Sequence, residues 1–210
     1  MTHAELDSPE PTPGSDSPAA VRKRPKPGER RVQILQALAT MLEQPGAERI
    51  TTAALAARLD VSEAALYRHF ASKAQMFEGL IEFIEQSVFT LINQIAEREA
   101  AGPSQAGRIV AMLIQFAEKN PGMTRVMVGD ALVFENERLQ QRMNQFFDKV
   151  ESSLKQCLRA SSDGATPTVD AQVRASVMTA FIVGRLQRFA RSGFKRMPSE
   201  HLEASLARML

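Results

Sequence analysis

Residues 50–81 read ITTAALAARLDVSEAALYRHFASKAQMFEGLI. Thr52 to Leu59 places Leu55, Ala56 and Leu59 on one helical face, and Asp60-Val61 then makes a tight turn. Ser62 is an N-cap for a second short helix, SEAALYRHF, with Glu63 favourably placed in its first turn. Ser72-Lys73-Ala74-Gln75 has the S-x-x-Q form of a capping box, so a third helix starts there. A short helix, a tight turn and a second short helix form a helix-turn-helix unit, whose second helix enters the DNA major groove.

Upstream, Ile34, Leu35, Leu38, Met41 and Leu42 recur at helical spacing until Pro45-Gly46, giving a first helix from Glu29. It is preceded by VRKRPKPGERR at 21–31, where Arg22, Lys23, Arg24, Lys26, Arg30 and Arg31 face only Glu29, and Pro25 and Pro27 keep the early part extended. Residues 1–20 carry four acids, no Lys or Arg, and four prolines, a composition expected of a disordered tail. Residues 1–28 thus read as a tail ending in a basic arm. The chain's formal charge is +2, but those four acids mask +6 on the rest.

Downstream the pattern stays helical. Phe77, Leu80, Ile81, Ile84, Val88, Leu91, Ile92 and Ile95 keep a 3.6-residue period up to Gly102-Pro103. Gly107 to Lys119 is apolar on nearly every side, which predicts a central helix buried all round and stopped by Asn120-Pro121-Gly122. Leu139, Met143, Phe146, Val150, Leu154 and Cys157 form the next stripe. Val169 to Phe194 has two apolar faces, and a helix with two apolar faces needs two things to pack against. Val177, Ala180, Phe181 and Gly184 on one of them are the candidate homodimer interface, because small residues admit a close partner helix. The fold is expected to be all-α, with a three-helix DNA-binding unit at 29–74 and a helical dimerisation and partner-binding unit at 75–210.

Several side chains around the helix-turn-helix suit a phosphate backbone. Thr51 and Thr52 place hydroxyls at a helix N-terminus, where the dipole favours an anion. Tyr67, Arg68, His69 and Lys73 supply further donors, and Arg22, Lys23 and Arg24 form the arm. Ser62, Ala64 and Ala65 are small enough to let the second helix sit against base edges. Taken singly, Tyr67 is a wedge between helices, His69 a surface histidine and the arm a solvated tail. Their joint placement around one unit favours double-stranded DNA, read by a dimer at palindromic sites about 34 Å apart per half-site.

Other classes fare worse. One cysteine and three scattered histidines, His3, His69 and His201, offer no nucleophile-base pair and no metal ligand set. No enzyme activity, metal or cofactor is expected. The longest apolar run, Ile109 to Ile114, is far short of the ~20 residues that span a bilayer, and the acidic start is unlike a secretory signal. The protein is expected in the cytoplasm without a membrane partner. In the central helix only Gln115 interrupts the aliphatic residues as a polar anchor for a small ligand.

The quoted stretch, with its threonines, LYRHF and the Lys opening the next helix, resembles the DNA-binding domain of TetR-type regulators. Beyond it, GLIEFIE (79–85), EKNPG (118–122) and ALVFENERLQ (131–140) resemble the nucleoid occlusion factors within that family. The resemblance implies a dimer that binds chromosomal DNA on the nucleoid and captures the C-terminal tail of the division protein FtsZ along the fourth and fifth helices. Phe83, Phe89, Met112, Lys119 and Asn120 are the matching positions. On periodicity alone, Phe83 and Phe89 read as core. Asp60 stands where the family usually has glycine. The alternative within the family is a ligand-responsive repressor.

Overall fold

The computed structural model describes residues 28–44, 49–159 and 167–210, which are all helix and connection, with no strand among them. The expected tail and arm at 1–27, with Arg22, Lys23 and Arg24, lie outside the described residues.

Three short elements form the N-terminal unit: α1 (Glu29–Leu42), α2 (Thr52–Arg58) and α3 (Glu63–Tyr67). Ile34, Leu38, Leu55, Leu66 and Phe70 are buried at their junction, and burying each such side chain is worth about 1.5–3 kcal/mol. Arg31 fastens the unit: its guanidinium donates to the His69 carbonyl (2.5 Å) and lies 4.1 Å from the centre of the Phe70 ring. The sequence places Arg31 in the basic run, whereas the fold uses it as a clamp between α1 and the end of α3.

Next comes α4 (Lys73–Arg98), started by the expected cap. Ser72 Oγ accepts from the Gln75 N–H (3.2 Å), while Gln75 Oε1 accepts from the Ala71 N–H (2.9 Å), one residue further out than in a standard capping box. The expected division after Ala74 falls in its first turn.

The remaining helices are α5 (Pro103–Lys119), α6 (Pro121–Met127), a 3-10 turn (Asp130–Leu132), α7 (Glu137–Arg159), α8 (Pro167–Arg191) and α9 (Leu202–Met209). The whole α7 stripe from Leu139 to Cys157 is buried, and α7 packs lengthwise on α8. Two ion pairs hold α7 to α4: Arg142 with Glu85 through two bonds (2.6 and 3.2 Å), and Arg138 with Glu78 (2.7 Å). The Glu85 carboxylate favours the charged guanidinium and raises the Arg142 pKa.

One expectation needs correction and another is met with an addition. First, α5 is not buried all round: Ile109, Val110, Leu113, Ile114 and Ala117 face inward, but Arg108, Gln115 and Lys119 face solvent. Three polar residues at spacings of 7 and 4 fall on one helical stripe, which the dense apolar run between them obscures. Second, Asn120-Pro121 ends α5 and starts α6 at once, since Pro at the first helical position lacks only an N–H that would be unpaired anyway.

Candidate nucleic-acid interface

Thr51 and Ser62 cap α2 and α3. Thr51 Oγ1 accepts from the Ala54 N–H (3.1 Å) and Ser62 Oγ from the Ala65 N–H (3.3 Å). Each hydroxyl serves as acceptor inside the fold, which leaves its own hydrogen available to donate. The turn between the helices is a Schellman motif: the Val61 N–H reaches the Ala56 carbonyl and the Asp60 N–H the Ala57 carbonyl, both at 3.1 Å. Asp60 is the left-handed residue, φ 54°, a conformation that Asp tolerates better than most residues.

Thr52, Glu63 and Tyr67 form a chain across the two helices. The Thr52 hydroxyl donates to the Glu63 carboxylate (2.5 Å), and the Tyr67 hydroxyl reaches Thr52 Oγ1 at 3.5 Å. In this structure the Thr52 hydroxyl is thus engaged by Glu63 at an exposed site. The Tyr67 contact is at the outer limit of a hydrogen bond and is readily exchanged for a stronger acceptor. Tyr67, Arg68, His69 and Ala64 are exposed, and Ala65 is half-buried.

The fold treats Lys73 differently from the sequence reading. Its ammonium is paired with the Glu135 carboxylate, 62 residues away, and lies 5.7 Å from the centre of the Phe77 ring. One cation the sequence reading missed is Arg49, exposed two residues before the α2 cap and without an ion-pair partner among the described residues. Its position next to the capping threonine was the available signal.

The other candidate residues separate by exposure. Phe83 on α4 is 47% exposed, against the periodicity reading that made it core. Phe89 is half-buried, edge-on to Phe146 (5.6 Å). Met112 is half-buried, Lys119 is exposed, and the Asn120 amide donates to the Phe116 carbonyl (2.8 Å), closing the end of α5. Phe83 and Lys119 therefore offer surface, whereas Phe89, Met112 and Asn120 are each partly packed into the fold. On α8, Val169, Val173 and Val177 are more than half exposed, Ala180 is exposed, Phe181 and Gly184 are partly so, and a Cβ at Gly184 would meet nothing.

Comparison with known proteins shows the family. Residues 34–80 match the model of bacterial regulatory proteins of the tetR family, and residues 104–209 match a tetracyclin repressor-like C-terminal domain of the SlmA-like type. The nucleoid occlusion factor SlmA of Idiomarina loihiensis is 52% identical over 177 residues, 83% of this chain and 90% of that one. The same-named protein of Vibrio cholerae is 50% identical over 83% of this chain and 90% of its own. The chain belongs to the TetR family, close to SlmA.

Solved TetR-like folds superpose over most of the chain at low identity. A fatty acid degradation regulator from Bacillus halodurans gives a TM-score of 0.72 at 12% identity, covering 87% of this chain and 95% of its own. A regulator from Bacillus subtilis solved with stearoyl-CoA gives 0.67 at 14%, covering 85% and 96%. These likenesses show the TetR fold. As a TetR-family member close to SlmA, the chain is a helix-turn-helix DNA-binding protein.

Proposed function

We propose that the protein is a homodimeric nucleoid occlusion factor that binds palindromic chromosomal sites and the C-terminal tail of FtsZ at once, blocking division-ring assembly over the nucleoid. One observation carries this reading: the similarity to SlmA is not confined to the helix-turn-helix but runs through 104–209, the part that distinguishes one TetR-family member from another.

In this reading residues 29–74 contact DNA through Thr51, Thr52, Ser62, Ala64, Ala65, Tyr67, Arg68, His69 and Lys73, with the arm of Arg22, Lys23 and Arg24 beside them. Residues 75–210 dimerise and hold the partner. The exposed apolar stripe of α8 is the surface a two-fold partner would cover. Phe83, Met112 and Lys119 offer an apolar surface and a cation to an extended acidic peptide. The protein acts on the nucleoid in the cytoplasm, by binding and not by catalysis.

A small-ligand repressor finds less support. The inward residues of α5 are aliphatic, Gln115 faces solvent, and the buried Gln105 amide is spent on the Glu99 carbonyl (2.7 Å). Mapping the bound sites in cells decides between the two readings. Sites scattered over the chromosome are expected, and confinement to one or two promoters would overturn the proposal.

A further inference from the structure

Lys73 opens α4 immediately after the helix-turn-helix, yet its ammonium is held by a carboxylate from the far side of the sequence. The Glu135 side chain is only 10% accessible and that of Lys73 27%, so the pair is far better shielded than an ordinary surface ion pair. We infer that Glu135 is a positioning residue for DNA binding: it competes with the phosphate backbone for Lys73, and DNA binding releases the turn that carries it. The inference rests on the proposed role of Lys73 as a phosphate contact.

Three features give the exchange a defined consequence. First, it is local. Arg138–Glu78 and Arg142–Glu85 join α7 to α4 with acid on α4 and base on α7, whereas Lys73–Glu135 has the opposite polarity. Drawing Lys73 toward a phosphate leaves those two pairs intact, so the helices stay docked. Second, although Asn136 is tied into α7 by the Leu139 N–H to its carbonyl (2.9 Å) and the Arg138 N–H to its Oδ1 (3.1 Å), residues 133–135 have little else to hold them. Ala131 and Leu132 before it and Leu139 after it are buried, but Val133 and Phe134 are 67% and 68% exposed. Within the turn Glu135 is fixed by its N–H to the Leu132 carbonyl (3.0 Å) and by its carboxylate to Lys73. Third, the release has a driving force. Without Lys73, a carboxylate shielded to this degree is uncompensated and must turn outward to water. The apolar pair Val133-Phe134 moves with it, so the turn's surface depends on whether DNA is bound.

The chain has no tryptophan, so Phe134→Trp makes this turn a single fluorescent reporter in the full-length protein. The probe is a duplex carrying a palindromic site selected from a random library with the purified protein. In the Phe134→Trp background, saturating duplex is expected to shift the emission maximum. Adding Glu135→Gln is expected to place the emission at its DNA-bound position without DNA, to make it insensitive to DNA, and to tighten binding by about threefold to tenfold. Glu135→Asp, which keeps the charge but shortens the reach, should fall between the two and keeps the test open if the Gln variant melts early. Lys73→Met should weaken binding and shift the DNA-free emission as Glu135→Gln does. If Lys73→Met weakens binding while both Glu135 variants leave affinity and emission as in the parent, the competition is refuted and the phosphate contact stands. If Lys73→Met leaves affinity unchanged, the phosphate contact itself is refuted.

Discussion

Gly122 of α6 packs on α1 with its Cα against the main chain of Ala39, so closely that a Cβ there would land on the Ala39 carbonyl oxygen. This contact seats the DNA-binding unit on the C-terminal helices, and a carbonyl inside a helix cannot swing away as a side-chain tip can.

Gly122→Ala is therefore expected to destabilise the protein by about 1–3 kcal/mol, the usual cost of overpacking. A chemical denaturation curve measures it. An unchanged midpoint would show that α1 and α6 separate freely.

Asp60 carries the left-handed residue of the α2–α3 turn. Asp60→Gly should fold as the parent does, whereas Asp60→Val should lose roughly 1–2 kcal/mol, because a β-branched residue resists this conformation. Thermal melts of the two variants compare them, and equal stability would contradict the turn geometry.

The expected dimer face on α8 is Val177, Ala180, Phe181 and Gly184, and the exposed Val169 and Val173 continue it toward the start of the helix. Val177→Glu should shift the protein to monomer in sedimentation equilibrium and weaken binding to a palindrome by more than about tenfold, since the two half-sites are no longer engaged together. A dimer of parental strength would remove this face from the interface.

Burial raises the Cys157 thiol pKa above its ordinary value. The folded protein keeps the thiol neutral where the unfolded chain ionises, so this contribution is complete below the unfolded pKa of about 8.5 and is lost as pH rises toward the folded value. At pH 8 iodoacetamide should alkylate the unfolded chain readily and the native protein slowly. Stability should also decline above about pH 8.5, less steeply in Cys157→Ala. Equal alkylation of native and unfolded protein would contradict the burial.

The sequence made legible what is written locally. The α7 stripe, the two faces of α8, the caps at Ser62 and Ser72 and the turn at Asp60 each depend on residues within a few positions, and each stands in the structure. What escaped depends on distant partners or on ambiguous punctuation. Lys73 looks free until Glu135 folds back onto it, and Arg31 looks like part of an arm until Phe70 meets its guanidinium. Periodicity could not say that on α4 Phe83 stands exposed while Phe89 is half-buried. Asn120-Pro121-Gly122 read as a stop because Pro and Gly break helices, although Pro also starts them. Helix α9, short and flanked by a left-handed His201, gave no cap signal.

The most direct test of the central claim is a titration of the purified dimer with a fluorescent peptide of the FtsZ C-terminal tail, with and without saturating palindromic duplex, read by anisotropy for the peptide and by band shift for the DNA. The account predicts a single species holding both ligands, with Phe83→Ala losing the peptide and keeping the DNA. Absence of peptide binding under both conditions, or displacement of the duplex by the peptide, would contradict it.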